Sequence, residues 1–289
     1  MSSQPSNVNQ YTIVIAGIQV HVYSTVSITQ GERGVKEVVV FFLLHGRYGS
    51  AEQIDPIARS LIGQTKENTR DLLVVTFDQR NHGQRLVEPK GNDGWVKNKG
   101  NKHNERHAVD MYSIQTGTAR DVTLLIDFLP AFLYPDDKPH PIVEWGVAGI
   151  SLGGHATWIS VASDERVKTG IPIIGCPDYG KLMAIRAGQA GVALEGPYFP
   201  ESFRRAIQVL DPPYLLESGQ NPFLGKRILV LCGEDDRLVP WEASKHFVEE
   251  KLEVGKDGIK EVSLYKGVGH ECTDGMVTEM AQFIAKHCL

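Results

Sequence analysis

The sequence predicts an α/β fold: a mostly parallel, doubly wound sheet of about eight strands, with a small helical lid inserted after the sixth. Three observations carry this. Short apolar runs alternate with amphipathic segments along the chain. Most of those runs are almost continuously apolar, as in strands covered on both faces, whereas a half-exposed strand alternates. Residues 177–221 break the rhythm with helical pieces separated by Pro and Gly. At 289 residues, 42% of them apolar, the chain is read as a single domain, 1–289, with 177–221 as a lid or cap within it.

Residues 11–23 alternate around Ala16-Gly17, the pattern of a hairpin. Residues 35–44 and 72–77 are buried strands, and 51–62 has helical spacing with Ser50 as its cap. Residues 81–110 form a long polar loop holding Trp95, three His (82, 103, 107) and five Asn (81, 92, 98, 101, 104). Loops of that length inside a domain are functional or disordered. A helix follows over 118–129, with Val122, Leu125, Ile126 and Leu129 on one face. Then come a strand over 141–148, a helix after Ser151 and a strand over 169–174. The inserted segment has helical pieces over 181–189 and 201–209. The chain ends with a strand over 227–232, a helix over 241–252, a strand over 261–265 and a helix over 274–287.

Composition excludes several classes. The formal net charge is −5, without long charge runs, which argues against nucleic acid or a membrane surface as partner. No segment is long and apolar enough to span a membrane, and the polar first ten residues lack the apolar core of a signal peptide. Cys176, Cys232, Cys272 and Cys288 show neither metal-ligand spacing nor a disulfide framework, and no Asn-x-Ser/Thr acceptor is present. A reducing, cytoplasmic location is the expectation.

The chemistry centres on Gly149-Ile-Ser151-Leu-Gly153, which follows an apolar strand and precedes a helix. A serine on such a sharp turn stands clear of the backbone, beside amides at the helix start. A serine hydroxyl needs a base, and the base needs an orienting acid. After a strand–elbow–helix unit the expected chain order is Ser, acid, His, each following a strand. Two late loops fit. Cys232-Gly-Glu-Asp-Asp-Arg-Leu-Val-Pro240 offers three carboxylates, and Gly267-Val-Gly-His270 offers the base. Asp236 is chosen for its spacing to Gly233, Val239 and Pro240, with Asp235 as runner-up. An oxyanion needs two donors. The Leu152 amide is one; Arg47, after His45-Gly46, supplies the other. His155 is read as helix packing, and Trp158 and Met183–Ile185 as plain packing.

These residues, together with Asp78-Gln-Arg-Asn-His-Gly83, resemble the α/β-hydrolase-fold serine hydrolases from about residue 38 to the C-terminus. The resemblance implies Ser151, Asp236 and His270 as a triad, with Arg47 and Leu152 amides as the oxyanion hole. It implies a small-molecule acyl substrate, esterase-like chemistry through an acyl-enzyme, and no metal or organic cofactor. Arg47 departs from the small or aromatic residue many relatives carry there, and adds a cation able to meet an acidic substrate group. The same triad also serves thioesters, lactones and carbon–carbon bonds. A non-catalytic binding protein on this fold would carry a broken triad. The acyl group, the leaving group and the oligomeric state have no readable code.

Overall fold

The computed structural model describes residues 8–25, 36–65, 68–97, 103–135 and 141–289. Val35, Asn98 and Asn101, and most of the first ten residues, lie outside them. Eight strands form one sheet: β1 (Asn9–Ile15), β2 (Ile18–Ser24), β3 (Val38–Leu44), β4 (Asp71–Phe77), β5 (Ile142–Ile150), β6 (Val167–Ile173), β7 (Arg227–Gly233) and β8 (Ile259–Tyr265). Their spatial order is β1-β2-β4-β3-β5-β6-β7-β8. The β1–β2 and β2–β4 pairings are antiparallel; every pairing from β4 through β8 is parallel.

The hairpin turns where the sequence places it. Ile15 faces Ile18, leaving two residues between the strands. Ala16 and Gly17 have φ of 49° and 80°, the double left-handed conformation whose twist suits a two-residue hairpin.

Two-residue periodicity divides each central strand between two cores. Val38, Val40, Phe42 and Leu44 of β3 join one face, while Val39, Phe41 and Leu43 join the other. Helix α1 (Asp55–Gln64) and helix α8 (Asp274–His287) cover the second face through Ala58, Leu61, Met276, Met280 and Ile284. On the first face lie α2 (His107–Leu133), through Val122, Leu125, Ile126 and Leu129, and α3 (Leu152–Ser163), through Ala156, Trp158 and Val161.

Several expected boundaries move. The segment after Ser50 starts with a 3₁₀ turn, and α1 begins only at Asp55. The Ser50 hydroxyl accepts the Gln53 amide at 3.4 Å, so it serves that turn. Helix α2 begins at His107, inside the expected loop, and two short 3₁₀ turns occupy Gly83–Arg85 and Pro89–Asn92. Between β6 and β7 lie three helices, α4 (Tyr179–Ala190), α5 (Glu201–Leu210) and α6 (Pro212–Glu217). The last of these starts on Pro212-Pro213, beyond the two helical pieces expected from the sequence. Helix α7 (Trp241–His246) gives way to a π turn over Phe247–Lys251 instead of running on.

A third apolar cluster explains the early start of α2. Ala108, Met111, Tyr112 and Ile114 from its first turns meet Tyr179, Leu182 and Met183 of α4 and Phe203 and Ile207 of α5. The inserted helices bury this face, and helical stability is mostly such packing.

Candidate functional site

Because β3 to β8 run parallel, the loops after them open at one edge of the sheet, where such folds assemble their sites. Ser151 follows β5, Asp236 follows β7 and His270 follows β8.

Ser151 has φ 55° and ψ −108°, a strained backbone for a residue with a side chain. Its amide is tied to the Ile173 carbonyl at 2.8 Å. The flanking glycines permit the turn by their lack of a side chain. A Cβ on Gly149 would lie 2.3 Å from the Gly153 backbone, and one on Gly153 would lie 2.5 Å from the Leu44 carbonyl oxygen. The Gly149→Ala variant is therefore expected to lose about 3 kcal/mol of stability or more. Chemical denaturation reads this out as a lower midpoint at unchanged slope.

The Ser151 hydroxyl donates to His270 Nε2 at 2.8 Å. On the other side of the ring, His270 Nδ1 donates to Asp236 Oδ2 at 2.7 Å. Asp236 is 4% exposed, and its Oδ1 accepts the Leu238 and Val239 amides at 2.8 and 2.9 Å. Burial pushes the Asp236 carboxyl up, but the His270 hydrogen bond, the two amides and the nearby imidazole outweigh it, so the group stays below its usual range. Glu234 and Asp235 of the same loop are exposed, and Asp235 uses its amide to hold the Val268 carbonyl at 2.9 Å.

The amides expected to hold an oxyanion depend in part on one peptide unit. Gly46 lies against the serine: a Cβ placed there would be 3.8 Å from Ser151 Cβ. The Gly46 carbonyl accepts His45 Nδ1 at 2.8 Å and the Gly49 amide at 3.0 Å. In a planar trans peptide the N–H points opposite the C=O, so these bonds also fix the direction of the Arg47 N–H. Neither the Arg47 nor the Leu152 amide meets an acceptor among the described residues. Leu152 is the first residue of α3, where an amide has no partner within the helix.

In the sequence His45 and Gln79 stand only as motif letters, and their role shows first in the fold. His45 Nε2 accepts the Gln79 amide at 3.0 Å, leaving Nδ1 as the donor to Gly46. The Gln79 side-chain amide donates to the His45 carbonyl. Burial lowers the His45 pKa to about 4, so the ring stays neutral and keeps this tautomer. Replacing it by Phe, which preserves a ring, is expected to lower kcat roughly 10- to 100-fold by freeing the Gly46–Arg47 peptide expected to hold an oxyanion. Steady-state kinetics on the folded variant, normalised to titrated sites, would show it.

The described part of the expected loop from Asn81 to Asn92 is tied down by hydrogen bonds. Asn81, at φ 58°, accepts the Val87 and Glu88 amides on Oδ1 and donates from Nδ2 to the Glu88 carbonyl at 2.7 Å. Asp78 takes the Ala51 and Gln84 amides at 2.8 and 2.7 Å. Buried Asp121 of α2 pairs with both Arg80 and Arg85. These bonds stiffen the wall beside the His45–Gly46 turn.

His155 is held by a backbone bond and takes no part in the Ser151–His270–Asp236 chain. Its Nδ1 accepts the Cys176 amide at 2.9 Å, and burial brings its pKa down to about 3. Trp158 packs edge-on against Phe223 and Phe247, and Met183 is fully buried among the inserted helices. Among the described residues, no group of three His, Cys, Asp or Glu is arranged to hold a metal ion. Nor is any helix long and apolar enough to cross a membrane.

Compared by sequence, the chain matches no protein-family profile and no curated protein. Solved structures do resemble it. TT1662 from Thermus thermophilus aligns over 96% of this chain and 97% of its own, at 19% identity and TM-score 0.67. Est1E from Butyrivibrio proteoclasticus, solved with ferulic acid, aligns over 96% of both chains at 16% identity and TM-score 0.56. The Pyrococcus horikoshii acylaminoacyl peptidase aligns over 98% of this chain at 13% identity and TM-score 0.61, and this chain spans 41% of it. Esterases and peptidases thus share its architecture. The eight-stranded sheet, its strand order and these likenesses establish that the chain has the α/β-hydrolase fold.

Proposed function

We propose that the protein is a serine hydrolase that cleaves a carboxylic ester or related acyl bond. The observation that carries this reading is the continuous chain from Ser151 through His270 to buried Asp236, with two bonds of 2.8 and 2.7 Å. A binding protein on this fold has no need of such a chain.

Ser151 attacks the acyl carbonyl while His270 takes its proton at Nε2. Asp236 holds the tautomer and stabilises the imidazolium without becoming protonated. The Arg47 and Leu152 amides receive the oxyanion. His270 then gives the proton to the leaving alcohol, and water releases the acyl group by the reverse roles.

In this reading 1–289 acts as one domain and the 177–221 insertion serves as its cap. What supports the cap is Arg186 of α4, whose guanidinium donates to the Leu238 carbonyl at 3.2 Å, two residues from Asp236. Turnover of 4-nitrophenyl esters from acetate to octanoate tests the reading. Hydrolysis of at least the short members is expected. No turnover of any member, with Ser151 still reactive toward a covalent probe, would shift the assignment to a thioester, lactone or carbon–carbon substrate.

A further inference from the structure

Beside the Ser151–His270–Asp236 chain lies a pocket of about 200 Å³ whose walls include Arg47, Lys97, Arg186, His107, Trp95 and Leu238. Two of these residues adjoin the candidate site. Arg47 follows Gly46, which lies against Ser151, and the Leu238 amide holds Asp236 Oδ1. Among the described residues, three cations line the pocket and no carboxylate does.

Among the described residues, the two guanidiniums are held by neutral groups only. Arg186 donates from Nε and Nη2 to the Leu238 carbonyl at 3.4 and 3.2 Å, and from Nη1 to His107 Nε2 at 3.3 Å. His107 can only accept there, because its Nδ1 donates to the Asp93 carbonyl at 2.9 Å and burial keeps its pKa near 3. Arg47 donates to the Asn92 carbonyl at 3.4 Å and lies 5.1 Å from the Tyr48 ring centre. Among the described residues, neither arginine has a carboxylate within 4.0 Å. Burial, followed by the charge of Arg47, lowers the Arg186 pKa to about 10. Two guanidiniums that repel each other in a partly dry pocket represent an unfavourable arrangement that an anion would relieve. The planar fork of each suits a carboxylate.

We propose that this pocket is an anion subsite that receives a carboxylate carried by the substrate between Arg47 and Arg186, so that the enzyme selects esters with a negatively charged end. This rests on the hydrolase reading for its catalytic consequence, though the anion site itself does not require it.

The test uses two isosteric pairs. In 4-acetoxybenzoate against 4-acetoxybenzamide the charge is on the leaving group; in monomethyl adipate against methyl adipamate it is on the acyl group. The wild type is expected to prefer the carboxylate in at least one pair by about tenfold or more in kcat/KM. In Arg186→Gln that ratio falls to about one, and Arg186→Lys keeps part of it. Arg205→Gln, which removes an exposed cation of the same insertion, leaves the ratio as it was. Ratios near one for both pairs in an active wild type overturn the inference and leave the hydrolase reading standing. Calorimetric binding of 4-hydroxybenzoate and adipate to Ser151→Ala separates the two claims. Binding that is lost in Ser151→Ala/Arg186→Gln supports the subsite even if no ester is turned over. Absence of binding by both ligands counts against it.

Discussion

Ser151→Ala is expected to lower kcat on any ester the protein turns over by roughly 10⁴- to 10⁶-fold, with the fold intact. The substitution removes one oxygen from a turn whose geometry is set by its neighbours. The Ser151 amide still reaches the Ile173 carbonyl at 2.8 Å, and Gly149 and Gly153 still permit the close approach. Alanine at φ 55° bears the same backbone strain as the serine. The loss is therefore chemical, and unchanged thermal unfolding alongside abolished turnover would show it. The residual rate reports what the Arg47 and Leu152 amides contribute without a nucleophile. A variant retaining more than about a tenth of the activity would move the nucleophile elsewhere.

Asp236→Asn is expected to lower kcat by about 10⁴-fold for a different reason. The carboxylate uses its two oxygens for different tasks. Oδ1 accepts the Leu238 and Val239 amides, and Oδ2 accepts His270 Nδ1–H. An asparagine satisfies the two amides with its single carbonyl oxygen. That orientation turns its NH₂ toward Nδ1, so the ring must accept there and carry its proton on Nε2. A protonated Nε2 cannot take the Ser151 proton. The loop stays folded while the histidine is held in the wrong tautomer. Asp235→Asn is expected to change kcat less than about twofold, because that side chain is exposed and meets none of these atoms. Kinetics on the two variants side by side decide between neighbouring carboxylates that differ little in sequence. Equal losses in both would contradict the assigned geometry.

The fold was largely legible where local pattern and burial agree. The apolar runs of β3, β5 and β7 read as strands because they are covered on both faces. Helix α8 begins at Asp274 because the Thr273 hydroxyl caps it, a signal visible in the sequence. Legibility failed where distant segments decide. The first turns of α2 follow a polar run rich in Asn and His, and their apolar face gains its partners from later helices, α3, α4 and α5. Helix α6 hid behind a Pro pair that reads equally as a break or as a helix start.

The candidate site divides in the same way. Ser151, Asp236 and His270 could be proposed together because their order after β5, β7 and β8 is a constraint in one dimension. The supports could not. His45 meets Gln79 across 34 residues, and Arg186 meets His107 across 79. Only the folded chain brings these pairs together, and single letters such as His and Gln do not announce a clamp on a neighbouring peptide. Of the cations that line the pocket, Arg47 alone carries a sequence signal, its place after His45-Gly46; Lys97 and Arg186 lie far from it in the chain and carry none.

The central claim is that Ser151 is a nucleophile activated by His270. It is tested most directly by reacting the wild type and Ser151→Ala with a fluorophosphonate serine-hydrolase probe and mapping the adduct by peptide mass spectrometry. The predicted result is one equivalent of adduct on the Ser151 peptide of the wild type and none on the variant. Equal labelling of both proteins, or an adduct confined to another residue, would contradict the account.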